Sequence, residues 1–106
     1  LNILIPILKK DETWKQHKKK LVEEYAELHN ELTRTQFLEK DGAVVDEEQI
    51  GKVVEEAMDV IQVAVGIIYK ALETHREIAI KKIQGHFVKL FDRGWKFIKI
   101  LRMEED

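Results

Sequence analysis

Apolar residues return every three or four positions through most of this chain, the period of helices that lie on a core. In residues 11–35, Leu21, Tyr25, Leu28 and Leu32 form one narrow stripe on a first long helix. Glu24, Glu27 and Glu31 form a second stripe about a quarter turn away, so these acids flank the expected seam. Asp41-Gly42 marks a turn. Asp46, Glu47, Glu48 and Gln49 then read as a capping box opening a second helix to about residue 73. Its apolar positions include Val53, Ala57, Val60, Ile61, Ala64, Val65 and Ile68, and beyond Asp59 also Val63 and Ile67. A third helix follows over residues 74–93, with Thr74 to Glu77 as its capping box. Ile80, Ile83, Phe87 and Leu90 form its stripe, and Gly94 stands just past its end. The predicted fold class is all-α: an antiparallel helical bundle of three main helices plus a short C-terminal segment, one domain over residues 1–106.

Past Asp59 the second helix is apolar around most of its circumference, which places it inside something larger. Three helices of this length could hardly surround it. The pattern therefore predicts a homo-oligomer, a homodimer or homotetramer. The tail from Trp95, with Phe97, Ile98, Ile100 and Leu101, is too apolar for a free end and is expected to dock on the body or a neighbour. Residues 1–8 are apolar, lack a preceding basic region and carry Pro6. They read as a leader that packs on the fold rather than a signal peptide.

Composition narrows the function classes. The 106 residues include no cysteine, which excludes a disulfide framework, a thiolate zinc site and a Cys nucleophile. A net charge of −2 gives no global attraction to nucleic acid or to an anionic membrane. No apolar run approaches the ~20 residues of a membrane span. A cytoplasmic location is compatible with all of this.

The chemistry concentrates in two acidic pairs, Glu24 with Glu27 and Glu56 with Asp59. Each pair is spaced i, i+3, so its carboxylates share one side of a helix. Two adjacent helices would bring four carboxylates together. Carboxylates ~5.5 Å apart repel by roughly 3 kcal/mol at an effective dielectric of ~20. A hard divalent cation such as Mg²⁺ or Mn²⁺ turns that repulsion into binding. Spacing alone leaves open a plainer reading, salt-bridged surface helices held by Lys20–Glu24 and Lys52–Glu56 pairs. A ferritin-like di-iron centre needs Glu-x-x-His on two helices, and here His29 and His75 follow Glu27 and Glu73 by two. On the third helix Lys82, His86, Lys89 and Arg93 form a basic stripe suited to phosphate oxygens.

Glu23-Glu24-x-x-Glu27, a spacer, then Glu56-x-x-Asp59 resembles the signature of the MazG-like, all-α nucleoside triphosphate pyrophosphohydrolases. Lys89-Leu90-Phe91-Asp92-Arg93 is similar to that family's Lys-Phe-x-x-Arg element, with Leu90 in place of Phe. The spacer is long for the family, and the resemblance covers about residues 20–95. It implies Mg²⁺-dependent hydrolysis between the α- and β-phosphates, giving a nucleoside monophosphate and pyrophosphate. In that scheme Glu24, Glu27, Glu56 and Asp59 hold the metal, and Glu23 or Glu27 takes a proton from the attacking water. Lys89 and Arg93 bind phosphate. A dUTPase-like enzyme, a phosphoribosyl-ATP pyrophosphohydrolase and a non-enzymatic helical interaction module are the rival expectations. Tyr25, Met58, Trp95 and Phe97 are candidates to stack on a base.

Overall fold

The computed structural model of the protein describes residues 1–9 and 11–105. Three helices follow in order: α1, Trp14–Lys40; α2, Glu47–Thr74; and α3, Arg76–Asp92. Among the described residues there is no strand, so the all-α helical bundle expected from the periodicity is the architecture observed.

The helix ends follow local chemistry. Thr13 caps α1 in a reciprocal box. Its side chain accepts from the Gln16 amide at 3.1 Å, and Gln16 Oε1 accepts from the Thr13 amide at 2.7 Å. Both α1 and α3 stop on a glycine in the left-handed region, Gly42 at φ 73° and Gly94 at φ 84°. In each case the amides of the glycine and of the next residue bond back into the last turn: Gly42 to Glu39 and Ala43 to Leu38, Gly94 to Phe91 and Trp95 to Leu90.

Two capping expectations change. At α2 the Gln49 amide bonds to Asp46 Oδ1 at 2.9 Å, but the Gln49 side chain does not return to close the box. Instead it crosses to α1. At α3 the expected box is absent. Thr74 is the last residue of α2, its hydroxyl donates to the Lys70 carbonyl, and His75 occupies the cap without a side-chain capping bond. A serine or threonine hydroxyl on a helix has that carbonyl one turn back within reach, and here it wins over the cap.

The chain divides into two compact units, Pro6–Ile67 and Leu1–Ile5 with Ile68–Asp106. In the first, α1 and the adjoining part of α2 form an antiparallel hairpin joined by residues 41–46. Cross-helix contacts set its register. Near the connector, Gln49 meets Glu31 and Thr35. At the far end, a Cβ placed on Gly66 would lie 3.6 Å from His17 Cε1. Gln62 Nε2 also donates to the Pro6 carbonyl at 2.6 Å, which ties the segment before α1 to α2. In the second unit, Phe87 of α3 meets Phe97 edge-on with ring centroids 4.6 Å apart, and Arg76 lies 3.7 Å from Glu105. The tail expected to dock does so through Phe97, while Ile98 and Leu101 stay exposed.

No hydrophobic side chain among the described residues is fully buried; the two buried residues are Glu24 and Gln49. The hairpin seam is therefore not the stripe expected from periodicity. Tyr25 is 61% exposed and Leu32 49%. The seam is turned so that Glu24, Leu28, Glu31, Thr35 and Leu38, spaced four and three apart, face α2. Glu24 lies in the seam, not beside it.

Candidate metal centre

The rotation of α1 has a chemical result. Glu24 and Glu27, one turn apart, meet Glu56 and Asp59, one turn apart on α2. One carboxylate oxygen from each of the four lies within 4.8 Å of all the others. The antiparallel register delivers this: once Gln49 is fixed beside Glu31 and Thr35, the next turns inward along the two helices carry the acids. All four residues belong to the hairpin unit.

Exposure is graded across the group. Glu24 is 6% exposed, Glu56 is half-buried, and Glu27 and Asp59 are open to solvent. The cluster thus has a floor and a mouth. Lys20, one turn before Glu24, reaches Glu24 Oε1 at 2.9 Å, the pair expected from the sequence. The Lys20 ammonium is held above its ordinary value, first by this hydrogen bond and then by the Glu24 charge. Lys52 does not form the expected pair with Glu56. It lies 3.8 Å from Glu48 instead, because Glu56 points into the hairpin.

Two oxygens remain without partners. Glu24 Oε2 and Glu56 Oε2 are both cut off from solvent and make no hydrogen bond. An ionised carboxylate only accepts, so the neighbouring acids cannot satisfy them. A proton would help. The Glu27 carboxyl is held above its ordinary 4.5, chiefly because it can share a proton with Glu56 and next because of the Glu24 charge. A divalent cation would help more. Oxygens on opposite sides of a six-coordinate Mg²⁺, at ~2.1 Å each, stand ~4.2 Å apart. The 4.8 Å spread therefore needs only a small contraction to enclose one such ion. The residues present fit a hard divalent cation.

Of the other sequence candidates, Glu23 is exposed, lies 4.0 Å from Lys20, and stands outside the group of four. Lys89 and Arg93 are exposed at the end of α3, in the other unit. Tyr25 and Met58, considered for base stacking, lie by helical register on the hairpin face opposite the acids. The Tyr25 ring packs against His29 at 5.7 Å.

Sequence reasoning missed the Gln49 clamp. The Gln49 amide nitrogen donates to the Glu31 carboxylate at 2.9 Å and lies 3.2 Å from both the Glu31 carbonyl and the Thr35 hydroxyl. This removes Glu31 from the acidic stripe and leaves four carboxylates at the centre. The available signal was Gln49 itself, a polar residue in register with Val53, Glu56 and Val60.

No family model matches the chain, and comparison with curated proteins and with solved structures gives no match. Among the described residues, no helix is long and apolar enough to cross a membrane.

Proposed function

We propose that the hairpin is a divalent-cation site and that the protein is a Mg²⁺-dependent nucleoside triphosphate pyrophosphohydrolase. One observation carries the metal site: four carboxylates converge within 4.8 Å, and two of them, Glu24 and Glu56, each carry a buried oxygen without a hydrogen-bond partner. The choice of nucleotide chemistry rests on the sequence resemblance, which places these same acids in a catalytic signature.

A bound Mg²⁺ (or Mn²⁺) supplies charge neutralisation at phosphate oxygens and a water of lowered pKa. The side chains divide the remaining work. Glu24 and Glu56, the least exposed of the four, would anchor the ion. Asp59 and Glu27 would supply the other two carboxylates. Glu27, exposed at the mouth of the group, would be placed to take a proton from the attacking water where the ion leaves one of its oxygens free. Glu23, adjacent in sequence and exposed, is the alternative base. Lys89 and Arg93 are assigned to phosphate on the sequence resemblance. A cytoplasmic, homo-oligomeric enzyme is the form this reading takes.

Two measurements test it separately. Titration with Mn²⁺ alone, followed by electron paramagnetic resonance, should show saturable binding that Glu56→Gln abolishes. Incubation with Mg²⁺ and a panel of nucleoside triphosphates, with dUTP and phosphoribosyl-ATP among the substrates, should release pyrophosphate and the matching monophosphate. Release of orthophosphate without pyrophosphate contradicts the assignment. Mn²⁺ binding without any turnover would leave a metal-stabilised interaction module, a dUTPase or phosphoribosyl-ATP specificity having been covered by the panel.

A further inference from the structure

We propose that the tail after α3, from Trp95 to Met103, docks on the surface of an anionic membrane. Every residue in this stretch is either large and apolar or a cation. Trp95, Phe97, Ile98, Ile100, Leu101 and Met103 are of the first kind. Lys96, Lys99 and Arg102, spaced three apart, are of the second. The chain as a whole has a net charge of −2, but this stretch carries three cations and no acid. The attraction that the whole chain lacks is thus present locally.

The fold holds the tail in place and leaves it open. The Trp95 amide donates to the Leu90 carbonyl, Phe97 meets Phe87, and Glu105 lies 3.7 Å from Arg76. These contacts step backwards along α3, so the tail returns alongside the helix. All nine residues stay exposed, Ile98 at 97%, Leu101 at 76% and Ile100 at 67%. Single exposed apolar side chains are ordinary, but a contiguous group of this size marks a contact surface. Arg102 lies 4.0 Å from Glu104 with both side chains in solvent, a pair weak enough for a lipid phosphate to replace.

The composition selects among occupants. The core of a protein interface is depleted of charge, lysine above all, whereas here a cation stands at every third position. A nucleic acid would engage the cations and leave Ile98, Ile100 and Leu101 in water. A bilayer surface engages both kinds. Lysine and arginine lay their stems along apolar surface while their heads reach the lipid phosphates, and tryptophan settles at the headgroup level. The strength of such binding combines inserted apolar area with attraction to anionic lipid. The surface uses neither the hairpin acids nor Lys89 and Arg93, so it is independent of the metal site and its chemistry.

The test mixes the full chain, in buffer free of divalent cations, with vesicles of phosphatidylcholine alone or of phosphatidylcholine with phosphatidylglycerol, and then sediments them. The protein should pellet with the anionic vesicles only, and added salt should release it. Trp14→Phe leaves Trp95 as the sole tryptophan, and its emission should shift to the blue as anionic vesicles are added. The double variant Lys96→Glu, Lys99→Glu should weaken partitioning by at least about tenfold. Ile98→Ser with Leu101→Ser should weaken it by a similar factor of about ten. Circular dichroism checks that each variant keeps its helices. A chain that stays in solution with both kinds of vesicle would overturn the proposal. If Trp95 is then already shielded from acrylamide, the face belongs to a second copy. Binding to single-stranded DNA without binding to vesicles would overturn it in favour of nucleic acid. Equal binding to neutral vesicles, or undiminished binding of the charge-reversed chain, would overturn it as well.

Discussion

Two polar layers sit in the same hairpin, a few turns apart, and they are built to opposite ends. In the layer near the connector, Gln49 donates to Glu31 and Thr35, and every donor it offers has an acceptor close by. In the acidic layer, two buried oxygens have no donor at all. The first layer is closed, and its work is to hold the register. The second is open, and it lacks a positive partner that the chain supplies only in part, through Lys20. A buried polar group that is satisfied stabilises a unique packing; one left unsatisfied costs desolvation energy unless a ligand completes it. Burial alone does not separate the two layers, since Glu24 and Gln49 are equally hidden. Satisfaction does.

The largest expected effect breaks the open layer. Glu56→Gln removes a half-buried ligand charge and should weaken Mn²⁺ binding by more than about hundredfold, the upper end for residues that merely support a ligand. The metal-free protein should melt no lower than the parent, because repulsion is relieved as well. A lower melting temperature with binding intact would make the acids structural after all.

Next, Gln49→Ala breaks the closed layer. It strips the Glu31 carboxylate of its cross-helix donor and should destabilise the metal-free protein by about 1–3 kcal/mol in denaturant melts. The two variants should thus show opposite profiles, binding lost in one and stability lost in the other.

Acidity sharpens the contrast further. The Glu27 carboxyl is raised from 4.5, so the folded state binds its proton more tightly than the unfolded chain does. That contribution to stability is full below the ordinary carboxyl value and is lost as pH rises through the raised one. Melting curves of the metal-free protein, compared with Glu27→Gln, should show the parent losing ground over this window. Saturating Mg²⁺ should remove the difference at neutral pH. Identical pH profiles would mean that the cluster does not share protons. The smallest effect belongs to Lys20→Met. It removes a resident cation from Glu24 and should tighten Mn²⁺ binding only a few-fold, as expected for an exposed ammonium.

The acidic layer was legible in the sequence because its signal is local. Glu24 with Glu27, and Glu56 with Asp59, declare their shared sides by spacing alone. Helix ends at Gly42 and Gly94 were legible for the same reason, since a left-handed stop favours glycine. The rotation of α1 was not. Leu21, Tyr25, Leu28 and Leu32 make the stronger apolar stripe, and periodicity cannot tell a face that meets α2 from one left for another surface. Glu24 and Glu31 enter the seam because their partners, the α2 acids and Gln49, are contributed by a different helix. The role of Thr74 was not legible because its hydroxyl can either accept from an amide ahead of it or donate to the carbonyl one turn back, and only the backbone geometry decides.

The brevity of the link at residues 41–46 has a kinetic consequence. Every group that shapes the acidic cleft lies within one contiguous stretch of chain, two helices joined by one short link. Topologies of that kind close fastest, since little chain entropy is lost before contacts form. The cleft can therefore assemble as soon as α2 has followed α1, ahead of α3. An ion captured at that stage would act as a folding aid before it served any chemistry.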